Sequence, residues 1–142
     1  MGNKLIGSVG LAIEGGTPSP YTRTTSFVIA CSDETTALTT GTKVTFRLPF
    51  AFTVTEVRAS LTTAGTGANL VTLDFEQNTT SILSTKITID ATELTSTTAT
   101  TAPVISTSEL TDDASITCDV DQIDSGGVSA GLKMYLIGYK TL

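Results

Sequence analysis

The sequence predicts an all-β fold, an antiparallel β-sandwich of jelly-roll type that is preceded by an extended N-terminal arm. Threonine occupies 30 of the 142 positions, and this β-branched residue suits the half-solvated face of a sheet better than a helix. After residue 24, apolar and polar residues alternate with a period of two, and no segment shows the 3.6-residue period of a helix. Turn residues divide this region into seven or eight short strands, which is typical of a β-sandwich.

Composition and charge place the chain among folded, water-facing single domains. A chain of 142 residues fits one domain and buries roughly two thirds of the surface that it exposes when unfolded. No apolar run approaches the roughly 18 residues of a transmembrane helix, and residues 1–10 lack the pattern of a secretion signal. The net charge of −6 repels phosphate backbones, and the Lys and Arg residues are dispersed. We therefore expect neither a membrane nor a nucleic acid as a partner.

Residues 1–23 are predicted to form the extended arm, and residues 24–142 the sandwich. Five glycines and two prolines in the arm disfavour both helix and sheet. A solvated tail is the alternative interpretation, but such a tail needs no apolar side chains. We therefore expect the arm to dock on a partner through its isolated apolar residues, which are Leu5, Ile6, Val9, Leu11 and Ile13.

Three strands are predicted in the first half of the domain, at residues 25–31, 42–48 and 52–61. In the second of them, apolar side chains occupy the even-numbered positions from 44 to 48. In the third, the apolar positions 52 and 54 share one phase, whereas positions 57, 59 and 61 share the other. One core can receive all five only if an extra residue is inserted near Thr55 or Glu56, which predicts a β-bulge.

The second half of the domain adds strands on both sides of a long polar connection. Residues 92–102 are almost wholly Thr, Ser and Ala, which are too polar or too small to line a core. The predicted strands are residues 71–76, 82–89, 116–120 and 132–140, with a possible edge strand at residues 104–106.

The last predicted strand is apolar on both faces. Its odd-numbered face carries Tyr135, Ile137 and Tyr139, and its even-numbered face carries aliphatic side chains. Such a strand is either central and covered on both sides or buried at an interface with another chain. Tyr135 and Tyr139 therefore join the apolar residues of the arm as candidate partner-binding residues.

The residues that carry most enzyme chemistry are missing from the sequence. The chain has no histidine, which is the commonest general base and the usual ligand of catalytic zinc. It also lacks the glycine motifs of phosphate-binding loops and of nucleophile elbows. A glycosidase needs a pair of carboxylates, and its sugar is often held by tryptophan. The chain has no tryptophan. We expect a protein that is not an enzyme and has no cofactor.

The acidic residues near the C-terminal end leave two interpretations open. Carboxylate oxygens are the ligands that Ca²⁺ prefers, but the glycine-centred loop of an EF-hand is missing. Alternating acids on a strand are commonly only solvated, and we expect the domain to fold without a metal. The residues in question are Asp112, Asp113, Asp119, Asp121 and Asp124.

Cys31 and Cys118 lie in separate strand-like segments, and three roles remain open for them. They are two buried free thiols, a disulfide between neighbouring strands, or part of a redox or metal site. A disulfide needs Cα atoms within about 7 Å. A metal site lacks both a CxxC motif and a histidine.

Four segments resemble a family of small virion proteins of tailed bacteriophages, including cyanophages. The resemblance covers about residues 27–140 and implies a jelly-roll-like domain that decorates the particle, without catalytic, cofactor or metal residues. The segments are FVIACSDETTALTTGTKVTFRLPFAFTVTEVRASLTT, SILSTKITIDATELTSTT, DDASITCDVDQI and GLKMYLIGYK.

The resemblance implies a capsid cement or decoration protein that stabilises the outer shell. Its partners are then the major capsid protein or other virion proteins, and its location is the surface of the phage particle after synthesis in the host cytoplasm. Decoration proteins of this kind commonly sit on symmetry axes, which leads us to expect a homo-oligomer, a trimer above all. The alternative is a module of the tail, fibre or baseplate that recognises a host glycan. A β-domain of a cell surface is a third class.

Overall fold

The computed structural model describes residues 23–142, which form β-strands, their connections and one turn of 3₁₀ helix at Ser96–Thr98. The predicted all-β fold is confirmed for these residues, and none of their helices is long and apolar enough to cross a membrane. Apart from Arg23, the predicted arm lies outside the described residues. The strands are β1 (Thr25–Ala30), β2 (Gly41–Arg47), β3 (Phe52–Ser60), β4 (Val71–Gln77), β5 (Thr80–Ser81), β6 (Leu83–Thr85), β7 (Ile87–Ile89), β8 (Val104–Ile105), β9 (Glu109–Leu110), β10 (Ser115–Gln122) and β11 (Lys133–Lys140).

Two antiparallel sheets form a β-sandwich. Sheet A has the strand order β1-β11-β3-β9, and sheet B has the order β2-β10-β4-β5, with β7 also paired to β4. Strands β6 and β8 form a separate two-stranded ribbon. From β1 to β4, and again from β9 to β11, successive strands alternate between the two sheets. Connections that cross from one sheet to the other hold the inner faces together.

Alternate side chains of both sheets fill the space between them. Sheet A contributes Phe52 and Met134, and sheet B contributes Leu73, Phe75 and Ile116, all fully buried. Because side chains of a strand alternate between its two faces, the period of two in the sequence delivers these residues to one core. Burial of each such side chain contributes roughly 1.5–3 kcal/mol.

The predicted β-bulge is confirmed in β3. Strand β11 pairs Gly138 with Val54 and the preceding residue with Glu56, so that Thr55 is the extra residue. The insertion allows Val54 and Val57 to face the core together, although their positions in the sequence have opposite phases. Thr55 itself is exposed.

Strand β11 lies between β1 and β3 in sheet A, so it is the central strand that one of the two interpretations expected. Met134 and Leu136 on its inner face are fully buried. Its outer face is only half-buried. This outer face is considered below as a surface for a partner.

Two features of the strand pattern differ from the prediction. The single strand expected at residues 82–89 is divided, because β6 pairs with β8 whereas β7 pairs with β4. The sequence also did not predict β5 and β9, which pair with β4 and β3 over two residues each and are too short to show a period of two.

Candidate docking face

The outer face of sheet A is the candidate functional site, and we call it the docking face. It contains Tyr135, Ile137 and Tyr139 from β11, Val28 from β1 and Arg58 from β3. Both tyrosines that the sequence singled out are therefore on this face, where they are half-buried. The other candidates lie outside the described residues, and they are Leu5, Ile6, Val9, Leu11 and Ile13.

Tyr135 lies near the middle of the docking face. In the register of the sheet it is directly opposite Val28 on one side and Arg58 on the other. Its hydroxyl group forms a hydrogen bond of 2.9 Å with Oγ of Ser60. Val28 is 61% exposed. The ring of Tyr135 is thus held in place beside an exposed aliphatic side chain.

The connection between β7 and β8 forms a wall along the docking face. The Ala59 N–H donates to Oγ of Ser96 at 2.9 Å, and the Leu61 N–H donates to the carbonyl oxygen of Leu94 at 2.9 Å. Ser96 is itself buried. These hydrogen bonds attach the polar connection to β3, so the wall has a fixed position relative to the sheet.

Two adjoining grooves lie on the docking face beside this wall. The smaller groove has a volume of about 350 Å³ and is lined in part by Ser60 and Tyr135. The larger groove has a volume of about 610 Å³ and extends to Val104, which is 50% exposed. Arg58 and Thr97 line both grooves. The docking face is therefore a contoured surface with apolar and hydroxyl groups.

A local ion pair neutralises the charge in the grooves. The Arg58 guanidinium donates to the carboxylate of Glu56, and this hydrogen bond, with the charge of Glu56, raises the pKa of Arg58. Both side chains are exposed enough that the pair contributes little to stability. Because these two are the charged residues that line the grooves, the grooves carry no net charge although the chain has a charge of −6.

The outer face of sheet B, in contrast, is acidic. Nζ of Lys86 lies 2.8 Å from a carboxylate oxygen of Asp74 and 2.6 Å from one of Asp121. Burial raises the pKa of Glu76, and a hydrogen bond with Asp119 raises it further. No group of acids or cysteines in residues 23–142 could hold a metal ion. The acids of β10 therefore take part in ion pairs and hydrogen bonds on this surface.

Asp124 differs from the other acids of its region because it is only 2% exposed. Its carboxylate accepts hydrogen bonds from the N–H groups of Thr66, Val128 and Ser129 and from the Ser129 hydroxyl. Burial raises the pKa of Asp124, but these hydrogen bonds outweigh burial and lower the pKa to about 2. Asp124 thus ties two loops together.

Cys31 and Cys118 are both buried and both free, as in the first of the three interpretations. They come from opposite sheets, Cys31 directly after β1 and Cys118 within β10. A hydrogen bond with Cys31, together with burial, raises the pKa of the Cys118 thiol. The two side chains are therefore neighbours in the core, which sequence spacing could not show.

Several residues of the docking face were not identified from the sequence. Arg58 and Ser60 could have been found, because the predicted bulge places these polar residues on the face of β3 that points away from the core. Thr97 and Val104 could not, because their position depends on hydrogen bonds between distant segments.

In comparisons with known proteins, no family model, no curated protein and no solved structure matches this chain.

Proposed function

We propose that this chain is a structural protein of a phage virion, a capsid cement or decoration protein that docks through its arm and its docking face. The observation that carries the proposal is the docking face itself. It places the exposed Val28 of the edge strand β1 beside the half-buried Tyr135 and Ile137 of the central strand β11, next to grooves without net charge. A contiguous surface of this kind is typical of protein–protein contacts.

The strand order supports the jelly-roll part of the proposal. With the short β5, β6 and β8 set aside, the sheets read β1-β11-β3-β9 and β2-β10-β4-β7. Except for the step from β4 to β7, which are neighbours in sheet B, successive strands in this arrangement lie in opposite sheets. This is the connectivity expected when two Greek keys fold into a double sheet. A rigid sandwich with crossing connections suits a protein that has to resist forces on a shell.

The partners in this proposal are the major capsid protein or other virion proteins, together with further copies of the chain in a homo-oligomer, for which we expect a trimer. A stable interface buries about 800 Å² on each partner. The exposed side chains of the docking face supply less area than this. Repetition on a symmetric shell and the arm would therefore both contribute to binding. The function needs no catalysis, cofactor, membrane or nucleic acid.

The test of the docking face compares two exposed valines. Val104 lines the larger groove, whereas Val128 lies in the loop before β11, and they are 50% and 44% exposed. We expect Val104→Glu to reduce the occupancy of the protein on particles that lack it at least tenfold, with Val128→Glu close to the unchanged protein. Equal occupancy of both variants would contradict the use of this face. Melting temperatures of both variants control for folding.

The test of the arm is deletion of residues 1–23. We expect the melting temperature of the remaining domain to stay nearly unchanged and its occupancy on particles to fall strongly. Unfolding of the truncated chain would show that the arm is part of the core.

A chelator should leave the melting temperature of the chain unchanged. A shift of several degrees would contradict the proposed folding without metal.

A second candidate function is recognition of a host glycan by a tail, fibre or baseplate module. The observation that favours it is the smaller groove, where the ring of Tyr135 lies beside the hydroxyl groups of Ser60 and Thr97. Aromatic rings and hydroxyl groups are suited to sugars. Glycan-array binding that is lost in Tyr135→Ala, together with the absence of binding to capsids, would favour this candidate over the first.

A further inference from the structure

The edge of sheet A formed by β1 is open within the described part of the chain. Strand β1 pairs with β11 on one side, and no other described strand pairs with it. The Cys31 N–H donates to the Leu132 carbonyl oxygen at 2.8 Å, and hydrogen bonding alternates along an antiparallel pair. The N–H groups of Ser26, Val28 and Ala30 therefore point towards the open side.

Strand β1 also lacks the features that usually protect an edge strand. Its sequence TSFVIA contains neither a charged residue nor a proline, and Val28 is 61% exposed. Strand β2, at the corresponding edge of sheet B, carries Lys43 and Arg47. Charged side chains discourage the pairing of edge strands, whereas an uncharged apolar edge promotes it. Of the two edges, β1 is the one suited to accept another strand.

An incompletely covered aromatic cluster lies beside this edge. Phe27 of β1 packs against Phe46 of β2 and against Phe50, with ring centroids 6.2 and 5.9 Å apart. All three rings are only partly buried. A strand added to β1 would place its inward side chains over this seam between the sheets. The apolar area that it covers would then add to the main-chain hydrogen bonds.

Residues 5–13 contain two of the five glycines of the arm and neither of its prolines, and they have the sequence pattern of such a strand. Every second residue from position 5 is apolar or glycine, and the residues between them are mostly small, which is a period of two. One face of this segment would be apolar and could cover the aromatic cluster. The residues of that face are Leu5, Gly7, Val9, Leu11 and Ile13.

The connection between this segment and β1 is suited to reach a neighbouring molecule. It comprises residues 14–24, whereas β-hairpins usually have connections of 2–5 residues. Pro18 and Pro20 favour extended backbone, also for the residue before each of them. Eleven extended residues span about 36 Å, similar to the diameter of a domain of this size, for which the radius of gyration is about 14 Å.

We propose that residues 5–13 of one copy of the chain add as a strand to the open edge of β1 in a second copy. This inference rests on the docking arm of the proposed function and deepens it, because it names the first partner of the arm. It does not need the phage particle. The exchange of arms would link the copies into a homo-oligomer before they reach the shell.

The experiment measures the mass of the full chain in solution by sedimentation at concentrations from about 1 to about 100 μM. We expect an oligomer for the full chain, a monomer after deletion of residues 1–23, and a monomer for Val28→Pro. The proline removes the N–H that points to the open side but not the pairing with β11, so the domain should still fold. The matched control Val28→Thr keeps the N–H and the branched shape, and it should remain an oligomer.

Hydrogen exchange completes the test and identifies the other possible occupants. In the full chain we expect the amides of Ser26, Val28 and Ala30 to exchange at least tenfold more slowly than in the truncated chain. A monomer with these amides protected would mean that the arm covers its own β1, and this would overturn the proposal. A monomer without protection would also overturn it, but would leave docking of the arm on another virion protein intact. An oligomer that persists in both Val28→Pro and the truncated chain would likewise overturn it.

Discussion

Replacement of Asp124 by Asn tests whether one buried carboxylate joins the loops next to β4 and β11. The carboxylate accepts N–H hydrogen bonds from Thr66, at 2.9 Å, and from Val128 and Ser129, both at 3.2 Å. The asparagine keeps the shape of the side chain. It loses the charge, however, and it brings an NH₂ group to a site that offers hydrogen-bond donors. We expect Asp124→Asn to fold but to be less stable.

The magnitude follows from the pKa. The pKa of Asp124 is lowered from the ordinary value of 3.8 to about 2, and a tenfold change in the acid dissociation constant corresponds to about 1.4 kcal/mol. The charged carboxylate therefore contributes about 2 kcal/mol to the free energy of unfolding. Because the pKa is lowered in the folded state, this contribution is complete above pH 5 and is lost as the pH falls from about 4 to about 2.

The assay is urea unfolding of the native chain and the variant between pH 2 and pH 7. The difference in unfolding free energy should be larger at pH 7 than at pH 2 by about 2 kcal/mol. Asp112→Asn is the matched control, because it makes the same chemical change at an exposed position, where substitutions usually have effects within about 0.5 kcal/mol. If the difference in unfolding free energy between the native chain and Asp124→Asn does not vary with pH, the reasoning is refuted.

Two further substitutions test the packing of the sheets. Gly138→Ala should lower the free energy of unfolding by at least about 2 kcal/mol, since its Cβ would clash with the Thr53 carbonyl oxygen. A melting temperature that stays the same as that of the native chain would contradict this. Lys86→Met should cost about 1–3 kcal/mol at pH 7, because it leaves the buried Asp74 without its ion pair, and the partial exposure of Lys86 keeps the loss below that of a fully buried pair. The double variant Lys86→Met with Asp74→Asn should recover part of this loss. A double variant that is no more stable than Lys86→Met would argue against the ion pair.

The sequence predicted those parts of the fold that depend on local alternation. It located the main strands and the bulge, because the change of phase in residues 52–61 is visible in the chain itself. It could not divide residues 82–89 between two partners, since each of those pairings joins distant segments. The same limit applies to the docking face. Tyr135 was identified from its own strand, whereas the wall around Thr97 depends on a hydrogen bond from Ala59 to Ser96.

The bulge at Thr55 also connects the packing of the core with the geometry of the docking face. Without the extra residue, either Val57 would point to the outside of sheet A or Val54 would, because side chains alternate along a regular strand. With it, both valines are buried, and Arg58 faces outwards between the two grooves. The insertion that completes the core therefore also sets which residues of β3 a partner can reach. A shift in register at this point would alter both stability and docking.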